Sequence, residues 1–422
     1  MGKIKFLTKL AFKNLFRHKL RTFVSIIAIA FAVMVVVFAR GFVVGMIDSL
    51  FADHIQYNSG HIKIVDQEYH KQKRLMPLDH PVDGFDGQGL NEMISELEGI
   101  EDVEMVIPRL KFGAMVSTEK ELVTMNGWGV KPDKEKNFTE VEDFLVEGRM
   151  ITPGRKEIVM GGELLEKIDH KVGDKVTILY NTSFNSLKGA TFKIVGRVES
   201  GLKMLDEIVF YLPLEQAQRL LYMDDQATEL LMVTPHRKVA SEVQPRVKDL
   251  FSNKGVEDKY LALHYKETSD LIPYMEIVKL IYNQIYIFIV ILASIVVINT
   301  MIMIVKERTK EIGMMSALGL ESKSILKLFV IEGGIMGVIG SFIGAIFGGF
   351  LIRYLAEVGI NYGSAMEGIS SDVMMSSIIY PVSSLSNTIF AFVLGVIIVA
   401  LASIIPARQA AKLEPTEAMR DW

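Results

Sequence analysis

The pattern of apolar and polar positions divides the chain into four long apolar stretches separated by polar segments. A hydrocarbon core about 30 Å thick needs roughly 20 helical residues, and each stretch is close to or above that length. The stretches are Phe23 to Ile47, Leu280 to Val305, Leu326 to Leu351 and Thr388 to Ile405. The pattern therefore predicts an α-helical membrane protein with four transmembrane helices, over residues 23–47, 274–305, 326–351 and 388–405.

The long polar segment between the first two stretches has the pattern of a mixed α/β domain. Short apolar runs such as "GHIKIV", "KVTILY", "TFKIVGRV" and "IVFYL" predict strands, and "LNEMISELEGI" and "PLEQAQRLLYM" predict helices. We expect an α/β domain over residues 48–273, inserted between the first and second spans. We expect two lobes in it, one joining residues up to about 110 with those after about 225, and a smaller one around 111–222.

The N-terminal segment is predicted to be a basic amphipathic helix over residues 1–22, lying on the membrane surface; the alternative is a solvated basic tail. Its apolar residues recur at helical spacing between lysines: Ile4, Leu7, Leu10, Ala11 and Leu15. The first span follows basic residues and contains spaced alanines, as a cleaved secretory signal would. The apolar character continues to Ile47, which favours a retained helix.

The second and third spans carry further features. A helix over 274–305 would be roughly 48 Å long, more than the membrane core, so its excess predicts a stalk outside the membrane. The third span contains a row of small residues mostly four apart, Gly333, Gly337, Gly340, Gly344 and Gly348. Such a row allows close helix packing, and we favour packing against the chain's own spans over a subunit contact.

Charge predicts the orientation of the chain. Its formal net charge of −4 offers no argument for nucleic acid as a partner. Residues 1–22 contain many lysines and arginines and no acidic residue, and the segment 306–325 is also rich in lysine. The positive-inside rule then places both termini, including a tail over 406–422, and the segment 306–325 in the cytoplasm. The α/β domain and a loop over 352–387 lie outside.

Motifs for catalysis are absent from the sequence. The chain has no cysteine, which excludes thiolate zinc sites, and no H-E-x-x-H or G-x-S-x-G pattern. It also has no G-x-x-x-x-G-K-[ST] phosphate loop, so ATP, if used, is bound by another chain. The spans contain few ionisable residues, among them Arg40 and Glu332, which disfavours an ion-coupled transporter.

The segment "VKERTKEIGMMSALG" between the second and third spans predicts a short helix at the cytoplasmic membrane surface. Ile312, Met315 and Leu318 form a narrow apolar stripe, and Gly319 can end the helix. Arg308 and Glu311, and Glu307 and Lys310, are spaced for pairing across one turn. The stripe is available to the membrane surface or to a partner.

Three segments resemble, in order and spacing, the C-terminal signature of the MacB/FtsX/LolC-LolE superfamily of ABC transporter permeases. They are "ERTKEIGMMSALG", the glutamate of "IEGGIMGVIGSFIGAIFGG" and "IPARQAAKLEPTEAMR"; the N-terminal and central segments are also similar to this family. The resemblance implies a permease dimer on two copies of a separate ATPase, which binds ATP and magnesium. It implies no catalytic, cofactor or metal site in this chain. The residues expected to contact the ATPase are Glu307, Arg308, Glu311, Ile312, Met315, Leu318 and Gly319.

Within the superfamily, "FKIVGRVESG…LPLEQAQ" most resembles the lipoprotein-releasing permeases. That resemblance implies a bacterial inner-membrane protein that extracts lipoproteins for a periplasmic carrier. The implied partners are the ATPase, an identical or homologous second permease, membrane lipids, the lipoprotein and the carrier. A possible carrier-docking loop, Asn181 to Ala190 with Asn181, Phe184 and Leu187, looks short. The alternatives are an efflux permease for antibiotics, peptides or toxins, a regulator of cell-wall hydrolases, and a membrane-anchored enzyme.

Overall fold

The computed structural model describes residues 2–15, 17, 19–85, 88–118, 121–269, 272–361 and 378–413. Residues 362–377 of the predicted loop over 352–387 and residues 414–422 of the predicted tail over 406–422 lie outside the described residues. The chain forms two compact units. The membrane unit comprises Met1–Ile47, Met275–Ile360 and Ile379–Trp422, and the α/β unit comprises Asp48–Tyr274 and Asn361–Ile378.

The helices follow the apolar stretches and the amphipathic segments between them. In chain order they are α1 (Gly2–Leu15), α2 (Lys19–His54), α3 (Gln67–Lys71), α4 (Leu90–Glu98), α5 (Pro132–Thr139), α6 (Gly162–Lys167), α7 (Lys203–Ile208), α8 (Leu214–Leu221), α9 (Ala240–Lys254), α10 (Ile272–Glu307), α11 (Thr309–Ala317), α12 (Ser322–Val358), α13 (Leu385–Ala402) and α14 (Ile404–Ala411). A π-helical turn over Ile55–Ser59 continues α2.

Four helical segments are long and apolar enough to cross a membrane: Lys19–Ser59, Ile277–Glu307, Ser322–Val358 and Leu385–Ala411. The predicted fold class is therefore confirmed. The first three helices extend beyond the predicted apolar stretches because polar residues at their ends also join the helix, which hydrophobicity alone does not reveal. The 36 residues of α10 correspond to roughly 54 Å, well above the thickness of a membrane core.

The apolar face of the N-terminal helix α1, which we expected to lie on the membrane surface, packs against other helices of the chain instead. Leu7, Ala11 and Leu15 are buried, and Leu7 and Ala11 form a cluster with Leu328 of α12. The expectation is therefore wrong for these three residues. An amphipathic stripe shows that one face is covered, but it does not distinguish lipid from protein as the cover.

The row of glycines on α12 lies against other spans of the same chain. Gly333 and Gly337 face Ser403 and Val399, and Gly340, Gly344 and Gly348 face Ile29, Ala30 and Val37 of α2. A Cβ atom added at Gly340 would lie 2.7 Å from the Cβ of Ile29, and one at Gly348 would lie 2.9 Å from the Cβ of Val37. The glycines thus permit an approach that any larger residue would prevent.

Gly344→Ala should destabilise the membrane unit by about 1–3 kcal/mol, because the new methyl group would overlap the carbonyl oxygen of Ala30. Gly334→Ala is a matched control on the same helix, since its Cβ would have no atom within 4 Å. This control should be neutral or slightly stabilising, because alanine favours a helix more than glycine does. Thermal unfolding in detergent checks both; equal effects would contradict the packing role.

The strands of the α/β unit form one mixed sheet. They are β1 (Ile62–Asp66), β2 (Met105–Ser117), β3 (Leu122–Val130), β4 (Leu145–Gly148), β5 (Glu157–Gly161), β6 (Lys175–Asn181), β7 (Leu187–Val198), β8 (Val209–Pro213), β9 (Glu229–Val233) and β10 (Tyr260–His264). Their order is β10-β1-β9-β2-β3-β8-β5-β7-β4, with β6 pairing with β2 and β7. β3 pairs with β8 and β5 with β7 in parallel, and the other pairs are antiparallel. A further pair, β11 (Ile360–Asn361) and β12 (Ile378–Ile379), lies apart from this sheet.

The four predicted strand segments correspond to β1, β6, β7 and β8, and the two predicted helices to α4 and α8. Pro213, the first residue of the predicted segment "PLEQAQRLLYM", is the N-cap of α8. The two groups of residues predicted as lobes share this single sheet. Each also has its own apolar cluster, one around Ile62, Leu90 and Phe251 and one around Leu110, Ile178 and Phe210.

A group of charged side chains is buried in the sheet. Glu229 on β9 lies between two lysines on the neighbouring strands: its Oε2 is 2.7 Å from Nζ of Lys63, and its Oε1 is 2.7 Å from Nζ of Lys111. Next to them, Arg109 makes a bidentate ion pair with Glu135. The distance from Nε to Oε1 is 2.6 Å, and that from Nη2 to Oε2 is 2.9 Å. All five residues are buried, so each charge depends on its partners.

Candidate functional site: the short helix between the second and third spans

The turn that separates α10 from α11 is one residue long. Arg308 interrupts the helix with a φ of −99°, and the hydroxyl of Thr309 donates to the carbonyl of Lys306 at 2.8 Å. At the other end, Gly319 has a φ of +92°, which glycine adopts without strain. Its N–H donates to the carbonyl of Ser316 at 3.0 Å, so α11 ends sharply before α12.

One face of α11 is covered by its own chain. Ile312 has no exposed surface and belongs to the apolar core of the membrane unit. Met315 is partly buried against the cluster of Leu7, Ala11 and Leu328. The predicted stripe is therefore split: Ile312 is internal, Met315 is at the boundary, and only Leu318 faces fully outward. A stripe that looked available to a partner is mostly used for internal packing.

The outward face of α11 presents two large apolar side chains. Leu318 is 89% exposed and Met314 is 52% exposed. Lys306 and Glu307 at the end of α10 and Lys310 on α11 are also exposed. Met314 lies outside the predicted contact stripe of Ile312, Met315 and Leu318. Its position in the sequence carries a signal, because a helix residue two positions from a buried one points to the other side of the helix.

A network of charged residues holds α11 against α1 and α12. Nε of Arg308, whose residue is only 5% exposed, donates to Oε2 of Glu311 at 3.0 Å, and its Nη1 is 3.6 Å from Oε1 of the buried Glu332. With the side-chain amide of Asn14 turned so that its oxygen faces the same guanidinium, this oxygen accepts from Nη1 and Nη2 at 3.1 Å. Arg308 therefore faces its own chain, which corrects its prediction as an outward contact residue; it serves as a cross-link between three helices.

Two arginines near the start of α2 extend this network. Arg17 pairs with Glu311, and Arg21 pairs with Glu307 at 2.5 Å. Burial raises the pKa of Glu311, but its bonds to Arg308 and Arg17 outweigh that effect and lower the pKa overall. The expected pair of Arg308 and Glu311 is thus present, and Glu307 pairs with Arg21. The network keeps α11 in a defined orientation while its other face stays accessible.

Arg308→Met should lower the free energy of unfolding of the membrane unit by about 3 kcal/mol, because it leaves the carboxylate of Glu332 buried without its cation. The double variant Arg308→Met/Glu332→Gln should recover most of this loss, since no unpaired buried charge remains. Thermal unfolding of the purified protein in detergent measures both. Additive losses in the double variant would contradict the proposed pairing.

The sequence comparisons agree with this architecture. The family model described as FtsX-like permease C-terminal matches residues 283–415, and the one described as MacB-like periplasmic core domain matches residues 22–250, more than half of the chain. The chain belongs to the MacB/FtsX/LolC-LolE superfamily of ABC transporter permeases. Members of this family work with an ABC ATPase partner. The short helix α11 lies within the FtsX-like part of this permease.

Similar proteins cover most of this permease at low identity. One is the uncharacterized ABC transporter permease YknZ of Bacillus subtilis, 26% identical over 78% of each chain. Another is the lipoprotein-releasing system transmembrane protein LolC of Neisseria meningitidis, 22% identical over 74% of this chain and 76% of LolC. The solved extracellular domain of a YknZ from Gram-positive bacteria is 13% identical with a TM-score of 0.33, covering 48% of this chain and all of that domain.

The other predicted site of this permease is the hairpin between β6 and β7. Asn181 ends β6 and Leu187 begins β7, so the loop is shorter than the predicted Asn181 to Ala190. Phe184 and Leu187 are exposed, and the ring centroid of Phe184 is 6.0 Å from that of Tyr222. No group of His, Asp or Glu able to hold a metal occurs among the residues that the structure describes.

Proposed function

We propose that this chain is the permease subunit of an ABC transporter in a bacterial inner membrane, and that a separate ATPase docks on the outward face of α11. The observation that carries this proposal is the exposure of Leu318 and Met314 on a short helix whose opposite face is fixed by Ile312 and Arg308. Exposed apolar side chains on a rigid element suit a partner groove. ATP and magnesium belong to the partner, since the sequence lacks a phosphate loop.

The direction of coupling follows from α10. It runs without interruption from Ile272 to Glu307 and ends one residue before α11 begins. We propose that closure of the ATPase shifts α11 and that α10, as a continuous helix, carries this displacement to the other side of the membrane. The basic residues of 1–22 and 306–325 support placing α11 and both termini in the cytoplasm.

A second permease subunit, identical or homologous, belongs to this proposal. α10 exposes a long apolar surface that includes Ile281, Ile285, Phe288, Leu292 and Ile295. Lipid covers such a surface in an isolated subunit, and a second permease would cover part of it in the complex. The ATPase would then bind in two copies, one on each α11.

We propose lipoproteins as the cargo, extracted from the outer leaflet of the inner membrane for delivery toward the outer membrane. The similarity to LolC, which extends over about three quarters of both chains, supports this choice. A carrier-docking role for the hairpin between β6 and β7 stays a prediction; exposed Phe184 and Leu187 would be its contact residues. Efflux of antibiotics, peptides or toxins is the second candidate, supported by the MacB-like match over residues 22–250.

Depletion of the chain separates the two candidates for cargo. A lipoprotein-releasing permease predicts that mature outer-membrane lipoproteins accumulate in the inner membrane within a few generations, with unchanged sensitivity to unrelated drugs. Normal lipoprotein sorting together with new sensitivity to antibiotics or peptides would contradict the lipoprotein proposal and support efflux. Cell filamentation with neither defect would instead support regulation of cell-wall hydrolases.

A further inference from the structure

Arg40 places a positive charge within the membrane-spanning part of α2. Counted from Phe23, it lies roughly 25 Å along the helix, near the far edge of a hydrocarbon core about 30 Å thick. A charged side chain at this depth is costly and normally has a partner of opposite charge or a ligand. The groups around Arg40 therefore decide what it can do.

The protein partners of Arg40 are all neutral. Its Nε donates to Oδ1 of Asn387 on α13 at 2.9 Å, and its Nη1 donates to Oδ1 of Asn283 on α10 at 3.5 Å. Its guanidinium carbon lies 3.8 Å from the ring centroid of Phe390. Tyr286, which also faces this region, donates its hydroxyl to the carbonyl of Ala39 at 3.4 Å. Among the described residues, no carboxylate pairs with Arg40.

The two asparagines accept hydrogen bonds from Arg40 without neutralising its charge. Because their oxygens accept from Arg40, their amide nitrogens point elsewhere, and neither has a hydrogen-bond acceptor among the described residues. Arg40 itself is only partly buried. The cluster of Arg40, Asn283 and Asn387, contributed by three spans, thus keeps one net positive charge, and the guanidinium retains N–H groups that neither asparagine uses. Such a set of donors is complementary to a phosphate group.

We propose that this cluster, which we call the Arg40 site, binds the phosphate of a glycerophospholipid headgroup. Its depth near the end of the span is where a lipid phosphate can reach it, and the surrounding surface suits acyl chains. Leu280, one turn before Asn283 on α10, is an exposed apolar residue, and the ring of Phe390 lies against the guanidinium itself. A lipid phosphate supplies the missing negative charge, and its acyl chains cover this surface. The proposal goes beyond transport and does not depend on the cargo or on the ATPase.

Native mass spectrometry of the purified full-length chain, titrated with phosphatidylglycerol, tests the Arg40 site. Arg40→Gln should reduce retention of this lipid by at least about tenfold, because the charge-assisted hydrogen bonds are lost. Arg353→Gln is the control: Arg353 is an exposed arginine near the end of α12, and its loss should leave binding unchanged. Equal retention by both variants would overturn the proposal.

A second variant guards against misfolding of Arg40→Gln. Asn387→Asp has nearly the same shape and keeps Arg40, but it places a carboxylate at the 2.9 Å contact and neutralises the cation internally. It should unfold at the same or a higher temperature than the parent chain and still lose phosphatidylglycerol. A thermally stable Asn387→Asp chain that binds this lipid normally would overturn the proposal.

Two ligands distinguish the source of the phosphate. Diacylglycerol with the same acyl chains lacks the phosphate and should not be retained. Retention equal to that of phosphatidylglycerol would show that only the apolar surface binds lipid, and it would overturn the proposed phosphate site. Inorganic phosphate at millimolar concentration should not displace the lipid, because it lacks the contribution of the acyl chains. Displacement would assign the site to free phosphate and overturn the choice of a lipid.

Discussion

Leu318→Asp is expected to abolish stable association of the permease with its ATPase while leaving the permease folded. Leu318 is 89% exposed, so the substitution removes almost no internal contact. In the proposed complex the same position would bury a carboxylate in an apolar groove without a partner. A loss of at least about 2 kcal/mol, or roughly 30-fold in affinity, is typical of such a central contact.

Co-purification of the ATPase with a tagged permease from detergent-solubilised membranes measures this effect. Leu75→Asp is the matched control, because Leu75 in the α/β unit is 76% exposed and lies far from α11 in sequence. Met314→Asp should weaken association in the same direction. Ile312→Asp should instead prevent folding, since Ile312 is fully buried. Retention of the ATPase by Leu318→Asp at the level of the control would refute the assigned docking face.

Glu229→Gln is expected to be the most destabilising conservative change in the α/β unit. The substitution leaves the ammonium groups of Lys63 and Lys111 buried without the carboxylate that lies 2.7 Å from each. Breaking a buried pair in this way costs about 3–5 kcal/mol. For a domain of this size, that corresponds to a decrease of roughly 10 °C in the unfolding temperature of the α/β unit.

Differential scanning calorimetry of the full chain measures the decrease. Glu199→Gln is the control, since Glu199 pairs with Arg197 at 2.6 Å on the surface, where both side chains are solvated. Its effect should stay below about 1 kcal/mol. Similar decreases in unfolding temperature for the two variants would contradict the claim that Glu229 stabilises the α/β unit because it is buried.

The same residue predicts how the α/β unit responds to acid. Burial raises the pKa of Glu229, but Lys111, Lys63 and Arg109 outweigh it and bring the pKa to about 2, against 4.5 for an ordinary glutamate. The unfolded chain therefore binds the proton first as the pH falls. The stabilisation by Glu229 is complete above about pH 4.5 and is lost between 4.5 and 2. In Glu229→Gln this part of the acid sensitivity should disappear.

The four spans and four of the ten strands in the sheet of the α/β domain could be predicted because their signals are local. Apolar length identifies a span, and alternation identifies a strand such as β6, whichever elements they pack against. The glycines of α12 also carried their own signal, since close packing needs small residues at helical spacing. These features depend on neighbours in the sequence and are visible without the fold.

The internal face of α11 could not be predicted, because it depends on residues distant in the sequence. Arg308 meets Glu332 of α12 and Asn14 of α1, and no spacing rule connects these three. The pairing of Lys63 with Glu229 likewise spans 166 positions and follows from the order of β1 and β9 in the sheet. Only the fold reveals that these charged residues are buried beside their partners.

Cross-linking from position 318 tests the central claim, that α11 is the docking element for a separate ATPase. The chain contains no cysteine, so Leu318→Cys gives a single site for a photoreactive maleimide in native membranes. The account predicts a cross-link from this position to a polypeptide with a G-x-x-x-x-G-K-[ST] phosphate loop, and none from Leu75→Cys. Labelled Leu318→Cys that cross-links only to lipid, or to the same polypeptides as Leu75→Cys, would contradict it.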